Sequence, residues 1–286
     1  MRRSAARRPF LAVLFSVISI LLIICLLFWV AFVFSDANVR IYHPTEERID
    51  VAAILEKEGL TEEDYALLYR QTGLTKIGID RAREHGVGGI SRVRTIQKQY
   101  FTDWEIEHDG FAPLMCTDFL PDGRHAVNIY LENGDIILTS STHFSAFRMG
   151  HVGIVTDATR GEVLQAEAYG DCSRFGSTDD FTDHAAFMIL RPKTDDQTRA
   201  AAVSYAKEHL TNLSYNAFVG VFSSNESIRN TQCAHLVWYA YHAVGVELVE
   251  NTNSIILPYT LANSYELELV QVFGFDPDTL WDSLFH

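Results

Sequence analysis

The sequence predicts an α+β protein in three parts: a membrane-spanning helix, a helix-rich region, and a domain built on an antiparallel sheet. Three observations carry this. Residues 10–34 form an apolar run with no charge. Helix signals dominate from about residue 45 to residue 101. From residue 126 the pattern turns to short alternating runs separated by turn residues, and helices follow only after the strands, the order of an α+β fold.

The apolar run comes first. Its 25 residues, taken as a helix, extend roughly 37 Å, more than the ~30 Å of a bilayer core. A cleaved signal has an apolar core of only about 7–15 residues, so the run reads as an uncleaved anchor, with Ser35-Asp36-Ala37 a poor cleavage site. Residues 1–9 are a basic tail with four arginines and no acid. Arginines on that side predict a cytoplasmic N-terminus and place the rest of the chain outside the plasma membrane. All 37 acids come at or after Asp36 and only 19 of the 23 basic residues do, which leaves that portion at −18. So acidic a surface gains nothing from counterion release on a polyanion, and nucleic acid is excluded as a partner.

Residues 35–125 read as a juxtamembrane and helical region. Thr61 is an N-cap, with acids in the turn that follows it. LTKIGIDRAREHG and GISRVRTIQKQYF continue the helical pattern. The domain at 126–286 opens with AVNIYLENGDIILTS, an alternating run about Asn133-Gly134 that predicts a hairpin. HVGIVTDATRGEVLQAEAYG adds two strands broken at Asp157 to Gly161. AAFMILRP is a strand ended by Pro192, and TDDQTRAAAVSYAKEHL is a helix with Asp195 and Asp196 at its start. NTQCAHLVWYAYHAVG is the next helix.

That helix raises the question of function. Cys233, Leu236, Val237, Ala240 and Val244 lie on one helical face, so the thiol points coreward at the N-terminal end. A cysteine there is either a packed core residue or a nucleophile. Helix N-termini lower thiol pKa values, which predicts a thiolate populated well below the usual ~8.5, and their free N–H groups suit an oxyanion. Of the other cysteines, Cys25 lies in the apolar run, while Cys116 and Cys172 flank turns and are open to pairing with each other.

A thiol nucleophile needs a base. His43, His85, His108, His125 and His286 sit in polar stretches, His209 lies near a helix end, and His235 and His242 lie off the apolar face of the cysteine helix. His151 instead opens the strand HVGIV. The adjoining strand carries Gln165 and Glu167, two apart and so on one face, where they either form a satisfied polar network in the core or orient His151. No CxxC or HxxxH spacing occurs in the domain, which predicts no metal site, and no cofactor is implied.

Taken in order, NGDIILT, GHVGIV, VLQA, YNAF, QCAHLVWYAY and LPYTLANS resemble the permuted papain-like cysteine hydrolases of the YiiX/YaeF type. These are relatives of the NlpC cell-wall peptidases and of lecithin–retinol acyltransferase. The resemblance covers about residues 126–270. It implies a permuted papain-like fold, with Cys233 as nucleophile, His151 as base, and Gln165 as the third polar residue where relatives commonly carry Glu or His. Glu167 is the alternative supplier of charge. Tyr215 matches a tyrosine upstream of the cysteine that assists the oxyanion or packs. The implied activity is hydrolysis of an amide, with cell-wall peptide the first expectation. A thiol acyltransferase acting on lipid esters and a non-catalytic binding module are the alternatives.

Overall fold

The computed structural model describes residues 7–37, 41–111, 115–168, 170–250, 252 and 254–285. Residues 1–6 of the basic tail lie outside them. The apolar run lies within α1 (Arg7–Ala37), and Ala12–Ala31 is long and apolar enough to cross a membrane.

Four helices follow: α2 (Ala52–Leu55), α3 (Glu62–Thr72), α4 (Lys76–Glu84) and α5 (Gly86–Tyr100). Helix α3 starts where its capping residues dictate. The Thr61 hydroxyl accepts from the Asp64 amide, and the Asp64 carboxylate accepts from the Thr61 amide, so two of the orphan donors of a helix start are satisfied reciprocally. The helical pattern then yields to strands earlier than expected. β1 (Glu107–Phe111) and β2 (Met115–Phe119) pair antiparallel, and with β4 (Thr142–Phe144) and β5 (Phe147–Arg148) they form a four-stranded sheet.

The main sheet has six strands. They are β3 (Ile136–Thr139), β6 (His151–Asp157), β7 (Glu162–Gln165), β8 (Arg174–Ser177), β9 (Phe187–Pro192) and β12 (Leu267–Phe273), in the order β12-β9-β3-β6-β7-β8, with every pairing antiparallel. Between them run α6 (Asp179–Thr182), α7 (Asp196–His209), the short parallel pair β10 (Ser214–Tyr215) and β11 (Asn230–Thr231), then α8 (Cys233–His242) and α9 (Pro258–Ala262).

Alternation divides the sheet into two buried faces. Ile136, Leu138, Val152, Ile154, Leu164 and Met188 pack with α7, α8 and α9. Ile137, Val155, Val163, Phe187 and Ile189 pack with α2 to α5. Burial on both faces is why these strands read as unbroken apolar runs. The helical region is therefore the second layer over the sheet.

The hairpin expected about Asn133-Gly134 does not form. β3 is paired on both edges, to β6 and to β9, so no ladder edge remains for residues 126–131. Side chains satisfy that segment instead. Gln271, fully buried, accepts from the Ile129 amide (2.6 Å) and donates to the Val127 carbonyl (2.9 Å). Gln271→Leu should leave the buried Ile129 amide unpaired, at about 1–3 kcal/mol, and the half-buried Val127 carbonyl without its donor, at about 1 kcal/mol. A drop of about 2–4 kcal/mol in denaturant-unfolding stability checks this.

The pairing of Cys116 with Cys172 left open by the sequence is not made. Both are free, Cys116 buried on β2 and Cys172 half-buried in a bridge to Ser214.

Candidate functional site

Cys233 is the first residue of α8, and Gln232 is its N-cap. The Gln232 amide oxygen accepts from the Ala234 amide (2.8 Å), and its nitrogen donates to the Ile256 carbonyl (2.6 Å). This fixes the helix start against the chain leading into α9. The Cys233 thiol donates to the same Gln232 oxygen at 3.4 Å.

Cys233 is buried, 7% exposed. Burial pushes the thiol up to about 11, while the backbone amides of Ala234, Val152 and Cys233 pull the other way. Removal from water thus works against the thiolate expected from the helix N-terminus.

His151, the first residue of β6, is half-buried and stacks on Phe181 with ring centroids 5.2 Å apart. Burial holds its imidazole down at about 4, against the hydrogen bond to Gln165, which raises it. Nε2 lies 2.8 Å from Oε1 of Gln165. A carbonyl oxygen only accepts, so Nε2 carries the proton and Nδ1 keeps its lone pair.

Gln165 in turn donates from Nε2 to Oδ2 of Asp180 at 2.7 Å, and the Ser177 amide donates to the same oxygen at 2.9 Å. The relay His151–Gln165–Asp180 thus ends in a carboxylate. Gly176 leaves space for it: a Cβ there would stand 2.1 Å from the Gln165 nitrogen and 2.3 Å from the Asp180 oxygen.

Glu167 is not part of this relay. β7 ends at Gln165, and Glu167, beyond the strand, pairs with Arg174. The expectation of a shared face assumed two more residues of strand. Tyr215 does sit at the thiol. Register places it opposite Thr231, two residues before Cys233, and its phenol is raised by burial and by the charge of a Cys233 thiolate.

Thiol and imidazole occupy different sides of β6. His151 and Gln165 share the alternation of Val155 and Val163, while α8 packs on the face of Val152 and Ile154. Both stand at the start of β6, where the sulfur meets the amide of Val152, the residue that follows His151. No hydrogen bond joins Cys233 to His151 among the described residues; the thiol donates to Gln232.

Sequence reasoning missed Asp180, Gly176 and Gln232. Asp180 sits in a one-turn helix after a strand, a context without a motif, and only the fold brings it to Gln165. A cavity of about 680 Å³ lined in part by Tyr42, Asp118, Arg148 and Trp281 includes none of the expected site residues. Comparison with protein-family models, with curated proteins and with solved structures finds no match to this chain.

Proposed function

We propose that the chain is a membrane-anchored, extracytoplasmic cysteine hydrolase of permuted papain-like fold, which takes an acyl group from an amide onto Cys233 and releases it to water. The observation that carries this reading is the His151–Gln165–Asp180 relay, together with a cysteine at a helix N-terminus whose sulfur meets the amide of Val152, next to His151 in sequence. A buried amide that fixes one imidazole tautomer and is itself held by a carboxylate has a direct use in orienting a base.

In this reading both partners rest neutral. The thiol leaves Gln232, Nδ1 of His151 takes its proton, and sulfur attacks the substrate carbonyl carbon. The amides of Val152 and Ala234, with the Tyr215 hydroxyl, stabilise the oxyanion. Imidazolium then gives the proton to the departing amine, and water, deprotonated by His151, cleaves the thioester. Asp180 supplies through Gln165 the charge that a lone amide lacks.

Cell-wall peptide is the first substrate class, on the strength of the resemblance and of a domain held outside the membrane. One observation favours a lipid-ester reading. The segment between Tyr215 and Cys233 exposes Phe218, Val221 and Phe222, the last 82% exposed, an apolar rim suited to an acyl chain.

The purified protein, offered wall fragments and phospholipid vesicles in parallel, distinguishes the two. Peptide release lost in Cys233→Ala supports the amide reading, and acyl-chain release lost in the same variant supports the ester reading. Equal turnover by wild type and Cys233→Ala on either substrate would remove the thiol from the mechanism.

A further inference from the structure

A second cluster of chemistry-bearing side chains lies on the four-stranded sheet. Register pairs His108 with Asp118, Cys116 with His143, and His143 with Arg148. Directly paired residues, and residues two apart on one strand, project from the same face. His108, Cys116, Asp118, His143 and Arg148 therefore all stand on one side.

Their polar atoms converge. Nδ1 of His108 lies 2.9 Å and Nε2 of His143 lies 3.1 Å from the same oxygen, Oδ1 of Asp118. The Cys116 sulfur, with the nearest atoms of His108 and Asp118, completes a group within 4.8 Å of one another. Cys116, Asp118 and His143 are each at most 5% exposed.

The His143 ring makes this convergence informative. Its Nδ1 lies 2.7 Å from the Ser145 carbonyl, which only accepts, so Nδ1 carries a proton. Nε2 therefore faces the carboxylate either as the second donor of an imidazolium or, in the neutral ring, as a lone pair that a cation between them would satisfy. An N–H held by a backbone carbonyl is also how metal-ligating imidazoles are oriented. Arg148 occupies the other Asp118 oxygen, Oδ2, at 2.5 Å, and leaves Oδ1 to the cluster.

We propose that His108, Cys116, Asp118 and His143 bind a transition-metal ion of the zinc class, one per chain. Two imidazoles, one thiolate and one carboxylate form the mixed N/S/O donor set that suits Zn²⁺ in tetrahedral geometry. Bond lengths of about 2.0–2.3 Å place ligand atoms roughly 3.3–3.7 Å apart. Both imidazole nitrogens already lie within a few tenths of an ångström of that spacing from Oδ1 of Asp118; the atoms that converge to within 4.8 Å are those of His108, Cys116 and Asp118, so the sulfur must close in and His143 must swing toward it. Local spacing could not reveal the site, because its ligands come from three strands and only register assembles them. The ion braces β1, β2 and β4 beside the anchor: the Ser145 carbonyl holds the His143 ring, and the Ser145 hydroxyl donates to the Ala31 carbonyl in α1 (3.3 Å).

The test uses untagged full-length protein in detergent, stripped of metal and titrated with Zn²⁺ and Co²⁺. The expected result is one Zn²⁺ per chain, a thiolate-to-cobalt charge-transfer band, and a higher melting temperature with zinc. Cys116→Ser should lose the band and Cys233→Ser should keep it. His108 is the exposed ligand, so His108→Ala should fold as wild type and bind Zn²⁺ at least about tenfold more weakly. Wild type that takes up no zinc, or a His108→Ala variant that binds zinc as tightly as wild type, would overturn the assignment. So would a cobalt band that disappears with Cys233 rather than with Cys116.

Discussion

Gln165→Leu should lower kcat/KM by about 10²- to 10⁴-fold with little loss of folded protein. Leucine is of similar size but cannot accept from Nε2 of His151, so the tautomer that leaves Nδ1 as the base loses its support. It also cuts Asp180 off from the imidazole. Asp180→Asn keeps an acceptor for the Gln165 amide and removes only the charge, so its effect should be smaller, about tenfold.

Gly176→Ala tests the relay from outside. Its Cβ would stand 2.1 Å from the Gln165 nitrogen and 2.3 Å from the Asp180 oxygen, and these are ends of side chains that move aside more easily than backbone. The variant should fold and lose activity in proportion to the displaced relay. Glu167→Ala should retain wild-type kcat/KM, because Glu167 pairs with Arg174 at the surface. Steady-state kinetics beside circular dichroism reads all four. A Glu167→Ala defect as large as that of Gln165→Leu would reverse the assignment of the third residue.

The pH dependence should be flat where many thiol enzymes are not. Burial holds His151 at about 4 and raises the Cys233 thiol to about 11. The active form has a neutral base and a protonated thiol. It is lost below the lower value, as the imidazole takes a proton, and above the upper value, as the thiol gives up the proton it must pass to the leaving amine. For an amide substrate kcat/KM should be level from about pH 5 to about pH 9. Alkylation of Cys233 by iodoacetamide should be slow at neutral pH and rise about tenfold per pH unit toward about pH 11, in step with the thiolate fraction. An acid limb between about pH 6 and pH 8 would mean that burial does not hold His151 down, and rapid alkylation at pH 6 would mean that substrate-free protein holds the thiolate that the helix N-terminus alone suggests.

The span, the strand at HVGIV, the helix at Cys233 and the capped start of α3 were legible because each is set by local pattern. Apolar length, alternation, and a Thr61–Asp64 capping pair need no distant partner. The failed hairpin at Asn133-Gly134 shows the limit. Its alternation is real, but β9 and β6 occupy both edges of β3, and a pairing partner more than 40 residues away cannot be read from a turn. The site divides in the same way. Gln165 and His151 were legible as polar residues on buried strands. The choice of Gln165 over Glu167 depended on where β7 ends. Asp180 and the convergence of His108 with Cys116, Asp118 and His143 depended on register between strands, a long-range property. The dipole of α8 is local and visible in sequence, whereas the depth of burial that works against a thiolate is not.

The central claim is that Cys233 accepts an acyl group with His151 as its base. Intact-mass and peptide analysis of the protein after brief exposure to a small activated ester, p-nitrophenyl acetate, tests it most directly. The account predicts a single acetyl group on Cys233, absent in Cys233→Ala and formed at least about a hundredfold more slowly in His151→Ala. An acetyl group on other residues alone, or on Cys233 at the same rate without His151, would contradict it.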